Sequence, residues 1–304
     1  MSVIVICGAT ATGKSELALA VAKVFDGEIV NADSMQIYRG MDIGTAKLAV
    51  HERESINHHL LDVLDVTHDS TVAWYQNAAR TAITEIQSRG KRAIVVGGTG
   101  LYIKSILDEL NFPDTDAAIR ESLEKELEAV GLNVLFERLE RLDPAAAIAI
   151  DRANSRRVIR ALEVIEITGK PFTANLPREA STRYPDAQQF GLVMDRQNLN
   201  DRISARVDGM WQAGFVNEVD GLIQSGITQG RTAQLALGYA QIIAMRKGLM
   251  SEDEAREDTK RATRQYARRQ ETWFSRDGRI TWISPVQARL ERVITHLEQL
   301  NWAK

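Results

Sequence analysis

The sequence predicts an α/β fold, in which a parallel sheet is flanked by helices and interrupted by an all-helical insertion. Short apolar, β-branched runs alternate with helical patterns in the first part of the chain, which is typical of a parallel sheet. From about residue 114 to residue 169 only helical patterns occur, rich in Ala, Leu, Glu and Arg. A further apolar run near residue 190 indicates that the chain then returns to the sheet.

Individual elements follow from the same periodicities. The opening run, residues 3–7, has no polar face, so it predicts a strand that is buried on both sides. Gly90 ends the helical pattern that precedes the third apolar run. The predicted strands span residues 3–7, 28–31, 92–96, 190–194 and 279–283. The predicted helices span residues 16–25, 71–89, 99–107, 199–211, 215–224 and 252–274, with one more at the C-terminus.

The composition is that of a folded globular protein. Of the 304 residues, 44% are hydrophobic and 26% are charged. We divide the chain into an α/β core, residues 1–112 and 187–304, and a helical insertion, residues 113–186. The N-terminus has no basic segment of the kind that opens a signal peptide. No run approaches the roughly 18 apolar residues of a membrane span.

Charge and cysteine content exclude some classes of function. With 38 Lys and Arg against 41 Asp and Glu, the net charge of −3 excludes a globally basic nucleic-acid coat, but not a local basic face. Cys7 is the one cysteine, so no intramolecular disulfide and no multi-cysteine zinc site can form. This cysteine usage fits a reducing cytoplasm.

A phosphate-binding loop lies between the first strand and the first helix. Residues 8–15 read Gly-Ala-Thr-Ala-Thr-Gly-Lys-Ser, which matches the P-loop pattern G-x-x-x-x-G-K-[ST]. Backbone N–H groups and the helix N-terminus attract phosphate oxygens, Lys14 adds a positive charge, and the Ser15 hydroxyl can hold Mg²⁺. The sheet is therefore expected to be P-loop NTPase-like. The expected phosphate-binding residues are Gly8, Ala9, Thr10, Ala11, Thr12, Gly13, Lys14 and Ser15.

The third strand lacks the acid that usually accompanies this loop in ATPases. Its residues 94–96 continue into Gly97-Gly98-Thr99, with no Asp or Glu to hold Mg²⁺ through water. This absence favours a cradle for a phosphorylated substrate that is not hydrolysed as ATP would be, although small-molecule kinases also vary at this point.

Further motifs follow in a fixed order along the chain. They are 31–38 (Asn-Ala-Asp-Ser-Met-Gln-Ile-Tyr), 40–47 (Gly-Met-Asp-Ile-Gly-Thr-Ala-Lys), 58–62 (His-His-Leu-Leu-Asp), 97–102 (Gly-Gly-Thr-Gly-Leu-Tyr) and 263–270 (Thr-Arg-Gln-Tyr-Ala-Arg-Arg-Gln). With the P-loop, they resemble the tRNA dimethylallyltransferases over nearly the whole chain. The resemblance implies transfer of a dimethylallyl group from its diphosphate to N6 of adenosine 37, beside the tRNA anticodon. It also implies that the P-loop grips the diphosphate leaving group.

The resemblance implies roles for residues near the cradle. Asp33 is expected to accept a proton from the attacking amine, and Thr99 is expected to reach the diphosphate or its bridging oxygen. Lys14 and Ser15 are expected to offset the charge that builds on the departing diphosphate, and by resemblance Arg206 binds the diphosphate and belongs with Lys14 to the catalytic residues. Arg202, one helical turn before Arg206, is a further diphosphate-binding candidate. Mg²⁺ is the expected cofactor, held by Ser15.

Two basic stripes at helical spacing predict contacts with RNA phosphates. One comprises Lys260, Arg264 and Arg268, and the other comprises Arg152, Arg156 and Arg160. By resemblance, segment 156–160 meets the anticodon stem-loop of tRNA. Segment 33–36 is expected to touch the target base. The expected tRNA-binding residues are Asp33, Ser34, Met35, Gln36, Thr99, Arg156, Arg157, Val158, Ile159, Arg160, Lys260, Arg264 and Arg268.

Two smaller groups of residues receive weaker interpretations. Ile37, Tyr38 and Met41 are candidates for an apolar slot that holds the dimethylallyl tail, although core packing predicts the same residues. The adjacent pair His58-His59 is expected to make structural hydrogen bonds and not to bind metal, because neighbours in an extended segment point in opposite directions. Asp62 receives no chemical role.

Other functions remain open at this point. A prenyltransferase for free adenine nucleotides would share the P-loop and Asp33 but would need no large basic surface. A small-metabolite kinase would turn over ATP, and a non-catalytic RNA-binding protein would make Asp33 and Thr99 accidental. We expect a cytoplasmic, monomeric enzyme with tRNA and dimethylallyl diphosphate as partners, and with neither membrane contact nor an obligate protein partner.

Overall fold

The protein, described by a computed structural model for residues 3–175, 181–284, 288–300 and 302, divides into two compact units. The first comprises Met1–Leu107 with Arg183–Lys304, and the second comprises Asp108–Thr182. The boundaries fall a few residues before the expected 112/113 and 186/187. The reason is that Leu107 packs into the core of the first unit, whereas Asp108 forms a β-bridge with Thr182.

The first unit contains an all-parallel sheet, as the alternation of strands and helices predicts. The strands are β1 (Val3–Gly8), β2 (Gly27–Asn31), β3 (His58–His59), β4 (Arg92–Gly97), β5 (Gln188–Leu192) and β6 (Ile280–Ile283). Their order across the sheet is β3-β2-β4-β1-β5-β6, with every neighbouring pair parallel. β3 was not predicted because two residues are too few to show a periodicity. β5 begins two residues earlier than predicted, since its first residues are glutamines.

The described residues form twelve α-helices. In chain order they are α1 (Lys14–Val24), α2 (Val72–Ser88), α3 (Gly100–Leu107), α4 (Ala117–Val130), α5 (Leu132–Leu142), α6 (Pro144–Ala149), α7 (Ser155–Thr168), α8 (Arg196–Gln212), α9 (Phe215–Gln224), α10 (Tyr239–Arg246), α11 (Glu252–Phe274) and α12 (Arg289–Gln299). The short α10 was not predicted. None of these helices combines the length and apolar character that crossing a membrane requires.

Both faces of the sheet are covered by apolar side chains. Along β1 the odd-numbered residues Val3, Val5 and Cys7 pack with α2 and α3, and the alternate residues Ile4 and Ile6 pack with α1 and α12. A strand with period-two alternation and helices on both faces is buried throughout, which explains its uninterrupted apolar sequence. Burial also raises the pKa of the Cys7 thiol to about 12, so the thiol stays protonated.

The carboxyl ends of the three central strands meet at one edge of the sheet. The P-loop follows β1, Asp33 follows β2, and the segment beginning at Gly98 follows β4. In an open α/β sheet this edge is where ligands bind. The parallel topology therefore brings together residues that lie far apart in the sequence.

The second unit is a small helical domain with its own core. Helices α4 to α7 bury Leu135, Phe136, Leu139 and other apolar side chains against one another. Glu163 is fully buried among them and accepts hydrogen bonds from Arg120 at 2.6 Å and from Arg160 at 2.9 Å. Burial alone would raise the pKa of Glu163, but these two arginines outweigh it and hold the pKa below its usual value.

Candidate active site

The P-loop curls between the end of β1 and the first turn of α1. Because α1 begins at Lys14, its positive dipole end faces the loop. The Lys14 ammonium donates a hydrogen bond to the Ala9 carbonyl at 2.7 Å. Burial lowers the pKa of Lys14 to about 8, although the nearby Asp33 carboxylate acts in the opposite direction. An anion entering the loop would restore the full charge of this side chain.

Arginine side chains from α8 and α12 donate hydrogen bonds to carbonyl groups of the loop. The Arg202 Nε donates to the Ala11 carbonyl at 3.0 Å. The buried Arg289 donates to the Thr12 carbonyl and, at 3.2 Å, to the Val193 carbonyl after β5. The two arginines thus engage successive carbonyl groups of the loop and fix its curvature. Arg289 was not singled out by sequence reasoning.

Gln270 of α11 connects the P-loop to the segment after β4. Its Oε1 accepts from the Thr10 amide at 2.9 Å, and its Nε2 donates to the Gly98 carbonyl at 2.8 Å. A Cβ at Gly98 would overlap the Gln270 Nε2, so a larger residue there would displace the Gln270 side chain. The Thr10 amide already has this partner within the protein, whereas Thr10 also lines both cavities described below, and its contact with phosphate stays a prediction.

Thr12 also shapes the loop. Its side chain is buried, and its hydroxyl donates to the Ala9 carbonyl at 2.8 Å. Among the eight P-loop positions, the structure thus gives the Thr10 amide and the Thr12 hydroxyl structural partners. Gly13, Lys14 and Ser15 line the cavity in front of the loop.

Asp33 is held beside the loop by its neighbours in the chain. The buried Asn31 accepts from the Asp33 amide at 3.0 Å and donates to the Asp33 and Leu60 carbonyls, each at 3.0 Å. One carboxylate oxygen of Asp33 accepts from the Met35 amide at 2.9 Å. Sequence reasoning placed Asp33 at the site but missed Asn31, whose position at the end of a buried strand was the available signal.

Thr99 lies next to Ser34 rather than directly against the P-loop. Its hydroxyl accepts from the Ser34 amide at 3.1 Å and stands 3.3 Å from the Ser34 hydroxyl. Tyr266 of α11 also contacts Thr99, and burial followed by the charge of Asp33 raises the pKa of Tyr266 to about 12. Tyr266 therefore keeps its proton and can donate a hydrogen bond near Asp33.

Two adjoining cavities meet at Asp33. The first, of about 250 Å³, is lined by the P-loop, Asn31, Gln36 and Arg202. The second, of about 290 Å³, continues along α8 and α11 to apolar side chains that include Val207 and Met210. The residues common to both cavities are Thr10, Ala11, Asp33, Thr45, Ala46 and Arg206. A ligand with an anionic head and an apolar tail would fit this arrangement.

The expected apolar slot is wrong. Ile37, Tyr38 and Met41 have no exposed surface, and they pack with α9 and α10 in a third apolar cluster. The second cavity takes its apolar lining from other residues. Periodicity cannot separate a core side chain from a cavity wall, because both are apolar and both face inward.

Ser15 is the cavity-lining residue best suited to a magnesium ion. It stands at the start of α1 and shares the first cavity with Asp33 and Glu16. The part of the chain that the structure describes contains no group of three His, Cys, Asp or Glu residues able to hold a metal. Mg²⁺ commonly takes one or two protein ligands and completes its shell with substrate phosphates and water, which fits this donor set.

The basic stripe on α11 is not a continuous exposed surface. Lys260 is almost buried and forms ion pairs with Asp208 at 2.7 Å and Glu257 at 2.8 Å. Arg264 donates to the Ser204 hydroxyl at 2.7 Å, and only Arg268 of the three is exposed. Acids on α8 and earlier on α11 therefore already neutralise Lys260, and its contact with RNA stays a prediction.

The residues of segment 156–160 differ in their exposure in the helical unit. Arg156 and Arg157 are exposed at the start of α7. The side chains of Val158 and Ile159 are buried in the core of the unit, and the contact of this segment with tRNA stays a prediction. Arg160 is held by Glu163 and by the Pro113 and Asp114 carbonyls.

His58, His59 and Asp62, to which the sequence assigned no chemical role, make structural contacts. His58 lies 2.8 Å from the Ile56 carbonyl, and His59 lies 2.7 Å from the buried Glu28 carboxylate, so the expectation of structural hydrogen bonds is confirmed. Asp62 accepts from the buried Lys47 ammonium at 2.6 Å. This ion pair anchors Lys47, which directly follows Thr45 and Ala46 in the chain.

Comparison with known proteins identifies what the chain resembles. A family model described as IPP transferase matches residues 36–277. A tRNA dimethylallyltransferase of Thermobifida fusca is 53% identical over 287 residues, with 93% of this chain and 89% of that protein covered. Another, of Streptomyces avermitilis, is 52% identical over 298 residues, with 98% and 94% covered.

Solved structures agree with these sequence relatives. A tRNA isopentenylpyrophosphate transferase of Bacillus halodurans matches with a TM-score of 0.71 and 36% identity, over 98% of this chain and 96% of that chain. A eukaryotic dimethylallyltransferase, crystallised in snapshots of its action on tRNA, matches with a TM-score of 0.83 and 27% identity, over 98% and 79% respectively.

Replacement of Gln270 by alanine is expected to lower the free energy of unfolding by about 1–3 kcal/mol, because the Thr10 amide and the Gly98 carbonyl lose their partner. Urea denaturation measures this change. Gln265→Ala, at an exposed position of the same helix, is the matched control and should change the free energy by less than about 0.5 kcal/mol. Equal effects in the two variants would contradict the connecting role of Gln270.

Proposed function

Since the chain belongs to the IPP transferase family, we propose that it transfers a dimethylallyl group from dimethylallyl diphosphate to N6 of adenosine 37 in tRNA. One observation supports this assignment above the others. The cavity in front of the P-loop opens, at Asp33, into a second and largely apolar cavity. A phosphate cradle, a carboxylate and an apolar space in that order match the head, the reacting carbon and the tail of the donor.

The reaction is a substitution at the first carbon of the donor. The N6 nitrogen of the adenine forms a bond to that carbon, the bond from carbon to the diphosphate oxygen breaks, and diphosphate leaves. Negative charge therefore builds on the departing oxygens. Lys14 and Arg206 are the cations placed to stabilise it, since Lys14 stands in the loop and Arg206 lines both cavities.

Asp33 is the group that removes the proton. The exocyclic amine of adenine is a weak nucleophile, so the proton must leave as the new bond forms. Asp33 lines both cavities and therefore stands where head and tail of the donor meet. The Thr99 hydroxyl accepts a hydrogen bond from the Ser34 amide. Through this contact Thr99 helps to shape segment 33–36, which receives the base.

Magnesium would be held by the Ser15 hydroxyl together with oxygens of the diphosphate and water. When bound, the ion supplies further positive charge to the leaving group. Ser15 orients this shell because it is fixed at the start of α1.

RNA recognition rests on two sets of residues, each in its own unit. In the first unit, Ser34 and Met35 line the second cavity, and Arg268 is exposed on α11. In the helical unit, Arg156 and Arg157 present exposed positive charge to phosphates. A loop base can be turned out of its stack into the cavity, as enzymes that modify bases require. We place this activity in the cytoplasm, with the chain acting as a monomer.

The assignment is tested by incubating the protein with labelled dimethylallyl diphosphate and Mg²⁺, with unmodified tRNA in one tube and AMP in another. Label on tRNA alone supports the proposal. Label on AMP alone would identify a free-nucleotide prenyltransferase. Label on neither, with ATP consumed in a screen of metabolites, would identify a kinase.

Replacement of Asp33 by asparagine should reduce kcat for transfer at least about a hundredfold, because the amide keeps the shape but cannot accept the proton. The Kd for tRNA should stay within about twofold, since one carboxylate adds little to an interface dominated by phosphate contacts. Single-turnover kinetics and filter binding measure the two quantities. A parallel loss of rate and binding would contradict the role as base.

Binding of inorganic diphosphate should weaken as the pH rises through about 8, because the pKa of Lys14 lies there. Below that pH the ammonium is charged and holds the anion, and above it the charge is lost. Lys14→Arg stays charged across this range and should show a weaker dependence. Calorimetric titration at several pH values measures the Kd, and a constant value for the unmodified protein would contradict the assignment.

Arg157→Ala should weaken tRNA binding and reduce the slope of log Kd against log salt concentration by about 1, because one phosphate contact is lost. Arg141→Ala is the matched control, since Arg141 is exposed in the same unit but lies outside segment 156–160. An unchanged slope in Arg157→Ala would show that the start of α7 is an ordinary solvated surface.

A further inference from the structure

Aromatic side chains line the second cavity away from the P-loop. Arg206 lines both cavities, whereas Val207 and Met210 further along α8, and Phe215 and Tyr239, line the second one alone. Both aromatic residues belong to the third apolar cluster and are buried, and unlike Ile37, Tyr38 and Met41 they line the second cavity. The Phe215 ring packs edge-on against Tyr239, with ring centroids 4.9 Å apart. Trp211 packs against its other side in the same way, at 5.3 Å.

Gly44 lies directly against this wall. A Cβ at Gly44 would overlap the Phe215 ring and would fall 2.5 Å from the Tyr239 ring. The Gly44 backbone therefore packs closely against the rings and leaves no room for a donor tail between them. This contact also requires glycine, since any side chain would separate the two surfaces.

Glu218 holds the segment and the wall together. Its carboxylate accepts from the backbone amides of Asp42 at 3.2 Å, Ile43 at 2.7 Å and Gly44 at 3.2 Å. It also accepts from the Tyr239 hydroxyl at 2.6 Å. Burial, together with the Glu218 charge, raises the pKa of Tyr239 far above its usual value, so the hydroxyl remains a donor. One carboxylate with four donors is a strong and directional clamp.

We propose that Phe215, held against Gly44 by the Glu218 clamp, is the end wall that limits the donor to a tail of one five-carbon unit. The inference rests on the proposed function, which places the diphosphate in the P-loop cavity and the tail in the second one. A ten-carbon tail would have to displace Phe215. Because that ring is packed on both sides, the displacement is costly. Phe215 and Glu218 thus determine specificity without taking part in the chemistry.

The test compares kcat/KM for dimethylallyl diphosphate and for geranyl diphosphate, its ten-carbon homologue, with tRNA as acceptor. The unmodified protein should strongly prefer the five-carbon donor. Phe215→Leu shortens the wall and should shift the ratio toward geranyl diphosphate by at least about tenfold, the scale of discrimination in apolar pockets. Phe190→Leu removes the same volume from a buried phenylalanine of β5, away from this cavity. It should leave the ratio unchanged.

Glu218→Gln provides a second variant in case Phe215→Leu fails to fold. It keeps the size of the side chain but replaces one acceptor by a donor, and so loosens Gly44 from the wall. The ratio should shift in the same direction by a smaller factor, in a variant whose circular dichroism shows that it remains folded. An unchanged ratio in a folded variant, or equal use of both donors by the unmodified protein, would overturn the inference. Absence of transfer from either donor would instead contradict the proposed function.

Discussion

The conformation of the P-loop depends on side chains that reach it from distant parts of the chain. Arg202 and Arg289 donate hydrogen bonds to two successive carbonyl groups of the loop. Gln270 accepts a hydrogen bond from the Thr10 amide and donates one to the Gly98 carbonyl. Ordering a glycine-containing loop costs much conformational entropy, and these hydrogen bonds offset that cost. Because these contacts come from α8, α11 and α12, the loop is ordered only when the helices pack on the sheet.

The chemistry follows from this arrangement and from what accompanies the loop. The same helix that supplies Gln270 supplies Tyr266 beside Asp33, and α8 supplies Arg206 at the junction of the cavities. β4 ends at Gly97, and Gly98 directly after it permits the close approach of Gln270 where an ATPase would carry an acid. A site without that acid, but with a carboxylate facing an apolar space, suits the departure of a diphosphate better than the hydrolysis of ATP.

Local patterns predicted much of the fold and part of the site. The apolar runs of β1 and β4, the P-loop and the long α11 are local signals, and the ends of parallel strands place Asp33 near the loop. The ion pair of Lys260 was not predicted because its partner, Asp208, lies on another helix. Long-range partners of this kind, like Gln270 or Glu218, leave no periodicity in the sequence. The burial of Val158 and Ile159 is the converse case, because the helical spacing of apolar residues was an available signal that was not used.

The most direct test of the central claim follows both halves of the donor in one reaction. Dimethylallyl diphosphate carrying one label in the tail and another in the diphosphate is incubated with the protein, tRNA, Mg²⁺ and ATP. The account predicts that each tail label recovered on tRNA is matched by one labelled diphosphate released intact, while ATP is unchanged. Release of phosphate from ATP in step with tail transfer, or tail transfer without diphosphate release, would contradict it.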